Sequence, residues 1–139
     1  MIKTETKFRV RYAETDQMGY VYYGRYAEYF EVGRVEAMRL LGFSYKDVEE
    51  KGILMPVIEL NIVYKKPAFY DDEITLITKL LEMPKGYRIK FEYETKNANN
   101  DLLNTGMVTL VFIDKNTNKM VKVPDWFQQG LLPFFEGNP

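Results

Sequence analysis

The stretch from Tyr12 to Arg34, YAETDQMGYVYYGRYAEYFEVGR, holds the residues of this chain best suited to chemistry. Asp16 falls in a loop between a strand-like segment and a helix-like one, a few residues before the helix. A carboxylate there can face the same space as the first helix amides, which lack partners within the helix. Those amides, at the positive end of the helix dipole, suit a polarised carbonyl or a developing oxyanion. Near Tyr22, Tyr23 and Gly24 the helix supplies such donors, and Gly24 lets a ligand approach the backbone. A loop carboxylate and a helix N-terminus form the smallest site able to attack an activated acyl group. The same residues also have plainer roles. An Asp before a helix is commonly an N-cap or turn former, and clustered Tyr residues are commonly core.

Composition removes most other catalytic schemes. The chain contains no Cys and no His, so thiol nucleophiles, disulfides, Ser-His-Asp triads and imidazole metal sites are excluded. Acid–base work near neutral pH falls to Asp, Glu, Lys, Tyr or the backbone. Lys and Arg number 19 against 20 Asp and Glu, an even balance that argues against a nucleic-acid binder. The first residues, Met1-Ile2-Lys3-Thr4-Glu5-Thr6-Lys7, are too charged for a signal segment, and no apolar run reaches the ~20 residues of a membrane span. A cytoplasmic protein is the expectation. At 139 residues, residues 1–139 are expected to form one domain.

The elements that must position Asp16 follow from periodicity. Phe8, Val10 and Tyr12 alternate with Lys7, Arg9 and Arg11, which predicts a half-buried strand. From about Tyr22 to Leu41 the apolar residues recur at three- and four-residue steps, predicting a long helix stopped at Gly42. A short second helix is expected from the Ser44 cap to about Lys51. Alternating runs at Val57–Tyr64, Ile74–Leu80, Tyr87–Glu94, Met107–Ile113 and Met120–Val123 predict an antiparallel meander. The fold class is therefore α+β: a curved antiparallel sheet of five to six strands wrapped around one long helix. Its open edges make self-association an expected way to cover them. The apolar segment from Asp125 to Phe135 is expected to close the core, rather than to cover a partner or reach a membrane surface.

The Tyr12–Arg34 segment resembles the hotdog-fold acyl-CoA thioesterases of the 4-hydroxybenzoyl-CoA thioesterase type, including the Tol–Pal-associated short-chain branch. Asp16, Gly19, Val21, Tyr22, Tyr23, Tyr26, Glu31 and Arg34 stand in the register of that family's D-x-x-G-x-V-[YF]-[HY] pattern and its following aromatic helix. Tyr64 through Asp72 is similar to the family's second signature. The resemblance implies a hotdog fold and hydrolysis of an acyl-CoA, short-chain or aromatic, to free acid and CoA. It casts Asp16 as nucleophile or general base, and the Tyr23 and Gly24 backbone N–H groups as donors to the thioester carbonyl. Many relatives carry His where Tyr23 stands, so Asp16 is left with more of the chemistry.

The resemblance implies no metal and no cofactor beyond the coenzyme A of the substrate. Tyr22, Tyr26 and Tyr64 become candidates to line an acyl pocket, as do Tyr29, Phe30 and Met55. Lys65, Lys66, Arg88 and Lys90 become candidates for the CoA phosphates, although polar strand positions also serve solubility. The expected assembly is a homo-oligomer, a dimer or a tetramer arranged as a dimer of dimers, with sites at protomer interfaces. Glu31 and Arg34, three apart on the helix, are expected to pair. A non-enzymatic acyl-CoA or small-lipid binder is the alternative on the same fold. A 3-hydroxyacyl dehydratase is disfavoured, because those enzymes use a catalytic His.

Overall fold

Side-chain alternation and one apolar helical stripe account for most of the architecture. A computed structural model describes residues 1–135 of the chain. Its elements are β1 (Ile2–Arg9), α1 (Arg25–Leu40), α2 (Tyr45–Glu50), β2 (Ile53–Leu54), β3 (Val57–Tyr64), β4 (Glu73–Leu80), β5 (Arg88–Lys96), β6 (Leu102–Asp114), β7 (Lys119–Val121) and α3 (Asp125–Phe135). The long strands run in the order β1, β4, β5, β6, β3, each antiparallel to its neighbour. Short β2 and β7 pair with the end of β6, bringing the sheet to seven strands. In β5, Ile89, Phe91, Tyr93 and Thr95 are buried on one face while Arg88 and Lys90 are exposed on the other. The buried face meets α1. Among the described residues no helix is long and apolar enough to cross a membrane.

The core forms where α1 lies down on the sheet. Tyr26, Tyr29, Phe30, Gly33, Ala37 and Met38 make a buried stripe at helical spacing. Phe30 is fully buried and stacks on Tyr93 with ring centroids 4.3 Å apart. Its ring occupies the space a side chain at Gly106 would need. From the helix side, a Cβ at Gly33 would come within 2.5 Å of Leu76 Cδ2 and Thr78 Oγ1. Two glycines, one on each layer, therefore let the helix sink into the sheet. The Asp125–Phe135 segment is the helix α3, and it buries Phe127 and Leu131 in the same core.

Several boundaries differ from the sequence reading. The first strand begins at Ile2 and ends at Arg9, earlier than expected. Its inward positions Thr4 and Thr6 are polar and hide the alternation, whereas Tyr12 lies in a 3₁₀ turn, 76% exposed. Helix α1 starts at Arg25 with Gly24 as its N-cap, so Tyr22 to Gly24 form a turn ahead of it. Strand β6 begins at Leu102, its start concealed by Asn104, Thr105 and Gly106. Arg34 does not pair with Glu31. It is buried, its Nε donates to the Tyr45 hydroxyl at 3.2 Å, and the Tyr93 hydroxyl lies close by.

Gly106→Ala sets a gain in strand propensity against a collision with a ring that is itself stacked and immobile. The collision dominates, and unfolding in urea is expected to show about 1–3 kcal/mol of destabilisation, the usual cost of overpacking. Unchanged or increased stability would mean that Phe30 can retreat, contrary to this packing.

Candidate active site

Asp16 opens a tight turn that explains its own position. The Gly19 N–H donates to the Asp16 carbonyl at 3.0 Å, and the Asp16 N–H donates to the Tyr20 carbonyl at 2.8 Å. Gly19 adopts φ +81°, the left-handed conformation this three-residue loop requires at its last position. Asp16 Oδ1 accepts from the Met18 amide at 2.9 Å and, at a longer 3.3 Å, from the Tyr20 amide. Among the described residues Oδ2 takes no hydrogen bond, and the half-buried side chain keeps one oxygen available.

A second loop, following β3, is stitched to this turn. The Val21 amide donates to the Ala68 carbonyl at 2.8 Å, and Tyr20 bridges to Phe69. The Lys65 and Lys66 amides both bind the Leu103 carbonyl, at 2.8 and 3.0 Å, which ends β3 in a kink. Between the two loops and the start of α1 lies a cleft of about 250 Å³. Asp16, Tyr23, Tyr26, Tyr64, Lys65 and Lys66 all line it, so six of the residues singled out from sequence come together. Lys66 Nζ also sits 3.7 Å from Asp101 at the surface.

The helix start is held from two sides. The Tyr22 amide donates to the Glu14 carbonyl at 2.9 Å, and the Arg25 amide turns back to the Tyr22 carbonyl at 2.9 Å. Among the described residues the Tyr23 and Gly24 amides donate to no other backbone or side-chain group. Tyr22 lies outside the cleft, its ring 4.6 Å from that of Tyr23 and folded over Gly24 where a Cβ would stand. Tyr64 reaches across from β3 and donates its hydroxyl to the Tyr23 carbonyl at 2.8 Å.

Two phenols of the cleft, Tyr26 and Tyr64, are shifted toward the protonated form. Burial pushes Tyr26 up to about 12, with further upward pressure from Tyr64 and Asp72. Burial also raises Tyr64, and the neighbouring Tyr23 adds to it. At neutral pH these side chains are hydrogen-bond donors and not bases, which leaves Asp16 as the carboxylate of the cleft. Arg88 and Lys90 stand elsewhere. They line a separate groove on the outer face of the sheet with Glu59, Glu82, Lys85 and Glu92, and Lys90 lies 3.8 Å from Glu92.

Glu14 is the residue that sequence reasoning missed. It is buried beside the cleft, where Oε1 accepts from the Tyr29 hydroxyl at 3.0 Å and from the Arg11 amide at 2.8 Å. Its carboxylate, after burial itself, holds the Tyr29 phenol well above its ordinary value. The only signal in the sequence is that Glu14 precedes the helix, which does not predict burial.

Comparison with known proteins gives this geometry a family. Residues 10–131 match the thioesterase-like superfamily. A putative acyl-CoA thioesterase of Bacillus subtilis, YneP, is 37% identical over 127 residues, covering 88% of this chain and 91% of that protein. The acyl-CoA thioester hydrolase YbgC of Escherichia coli O6:H1 is 32% identical over 106 residues, covering 76% of this chain and 78% of that protein. Among solved structures, a DHNA-CoA thioesterase from Staphylococcus aureus superposes with a TM-score of 0.86 at 37% identity, over 98% of this chain and 97% of that one. The chain belongs to the thioesterase-like superfamily and is an acyl-CoA thioesterase of the hotdog fold.

Proposed function

We propose that this protein hydrolyses short-chain or aromatic acyl-CoA thioesters at the Asp16 cleft. One observation carries the reading: the half-free Asp16 carboxylate and Tyr23 line the same cleft, and the amides of Tyr23 and of Gly24 next to it are unengaged. A thioester carbonyl bound to the Tyr23 and Gly24 N–H groups becomes more electrophilic. As the carbonyl oxygen gains charge, those bonds strengthen more than they do in the ground state, which is what lowers the barrier. Asp16 then either attacks the carbonyl carbon, expelling the CoA thiolate and leaving a mixed anhydride that water hydrolyses to the free acid, or takes a proton from a water that attacks the same carbon and expels the thiolate. Direct attack needs Asp16 against the carbonyl carbon, whereas base catalysis needs room for one water between them. Among substrates, an aroyl group is favoured by the aromatic lining of Tyr23, Tyr26 and Tyr64. The 4-hydroxybenzoyl-CoA thioesterase type accommodates Tyr at position 23, and the similar S. aureus structure is a DHNA-CoA thioesterase. Because coenzyme A thioesters are held inside cells, the reading carries a cytoplasmic location with it.

The assembly follows from β3. This strand is eight residues long and pairs on one side only, with β6. Val57, Ile58, Leu60, Val63 and Tyr64 are each about half exposed, an apolar edge of the kind that pairs with another chain. Antiparallel pairing of two β3 strands closes both edges at once and is self-complementary, as a two-fold dimer requires. It also brings a second protomer to the rim of the cleft, because Tyr64, Lys65 and Lys66 continue directly from β3. Lys65 and Lys66 suit the CoA phosphates within one chain. Arg88 and Lys90, on the outer face, can serve that role only for a neighbouring copy, in keeping with a tetramer built from two such dimers.

Thiol release from a panel of short-chain acyl-, benzoyl- and DHNA-CoA, compared for wild type and Asp16→Ala, tests the site. The substitution is expected to lower kcat about 10²- to 10⁴-fold, the usual range for loss of such a group. Turnover undiminished in Asp16→Ala would sink the assignment. For the assembly, Leu60→Lys places a charge on the β3 edge and should shift sedimentation to the monomer with loss of turnover. An unchanged oligomeric mass would rule out β3 as the seam.

A further inference from the structure

The carbonyl of Tyr23 lies just before the N-cap of α1. The helical ladder begins with the N-cap carbonyl, so the carbonyl one residue earlier is not held by the helix. Here it is held by a side chain from the far strand, the Tyr64 hydroxyl at 2.8 Å. In a trans peptide the C=O and N–H point in opposite directions, and this chain has no cis bonds among the described residues. A donor fixed on the Tyr23 oxygen therefore also fixes where the Gly24 N–H points. It polarises the same peptide as well, which makes that N–H a stronger donor.

We propose that Tyr64 is a positioning residue for thioester hydrolysis, acting through the Tyr23–Gly24 peptide and not by contact with the reacting atoms. The inference rests on the acyl-CoA reading of the Asp16 cleft and adds a device to it. The hydroxyl is itself well aimed. Its ring is held edge-on between Tyr23, at 6.4 Å, and Tyr26, at 5.7 Å. The kink at Lys65 and Lys66 pins the backbone immediately after it. Because burial raises the Tyr64 phenol, it remains protonated and donates throughout the neutral range.

Tyr64→Phe keeps both ring contacts at a half-exposed edge position and removes only the donor, so the fold is retained, as a thermal melt would verify. The expected result is a kcat lowered about tenfold, the scale of one lost hydrogen bond to a working group, with KM within about twofold of wild type. A residue that merely lines the pocket would raise KM instead. Two unreactive analogues give an independent reading: a ketone that replaces the thioester sulfur with CH₂ and keeps the carbonyl, and a thioether that keeps the sulfur and lacks the carbonyl. Tyr64→Phe is expected to weaken the ketone several-fold and leave the thioether unchanged. Equal effects on both analogues, or wild-type kcat, would overturn the proposal. Failure of the wild type to hydrolyse any thioester would instead refute the acyl-CoA reading, and the analogue pair would still report on Tyr64.

Discussion

The structure depends on how closely α1 approaches the sheet. Gly33 removes a side chain from the helix where Leu76 and Thr78 press against it, and Gly106 removes one from the sheet where Phe30 enters. The stacking of Phe30 on Tyr93 then locks the depth of the helix. Close-packed interiors do not deform continuously, so this depth is a fixed length and not an average. The consequence is felt a turn and a half away, at the N-terminus of α1. There Tyr23 lines the same cleft as the Asp16 turn.

Glu14 converts that packing into a site. Its side chain takes the hydroxyl of Tyr29, which lies on the buried stripe of α1, and its backbone carbonyl takes the amide of Tyr22 at the helix entrance. One residue thus ties the loop to the body of the helix and to its start. A buried carboxylate is costly unless hydrogen-bonded, and Glu14 has the Tyr29 hydroxyl, the Arg11 amide and a guanidinium 3.6 Å away from Arg11. The Asp16 turn follows within two residues. Its carboxylate is therefore carried by a scaffold that ends in the core and not by a loose loop.

Much of this was legible in the sequence, for identifiable reasons. The α1 stripe, the Ser44 cap and the alternation of β5 are local patterns, and each matches the structure within a few residues. The register of Asp16, Gly19, Tyr23 and Tyr26 was equally local, and the structure gathers Asp16, Tyr23 and Tyr26 around one cleft. What stayed hidden depends on distant partners. Thr4 and Thr6 face inward in β1, and Asn104 is buried in β6 beside Thr95, so polar residues occupy positions that periodicity assigns to apolar ones. Arg34 has the correct spacing for Glu31 but meets tyrosine hydroxyls delivered by α2 and β5. The sidedness of Arg88 and Lys90 follows from alternation, yet only the packing of α1 decides which face carries the cleft.

The absence of histidine is what gives these details their chemical meaning. An imidazole near neutral pH can both take and return a proton, whereas the cleft of this protein offers a carboxylate and, in Tyr26 and Tyr64, phenols that burial moves further from neutrality. In the proposed reading, proton transfer therefore falls to Asp16, and the remaining barrier reduction to fixed dipoles. Fixed dipoles act only as well as they are aimed, since misdirected amides bind the ground state as strongly as the transition state. A site of this kind places its demands on backbone geometry more than on reactive side chains. The Glu14 carbonyl holds the Val21–Tyr22 peptide and the Tyr64 hydroxyl holds the Tyr23–Gly24 peptide, both at the entrance of α1. Because Tyr64 belongs to the open edge strand, those peptides are also mechanically continuous with the surface best suited to a second copy of the chain.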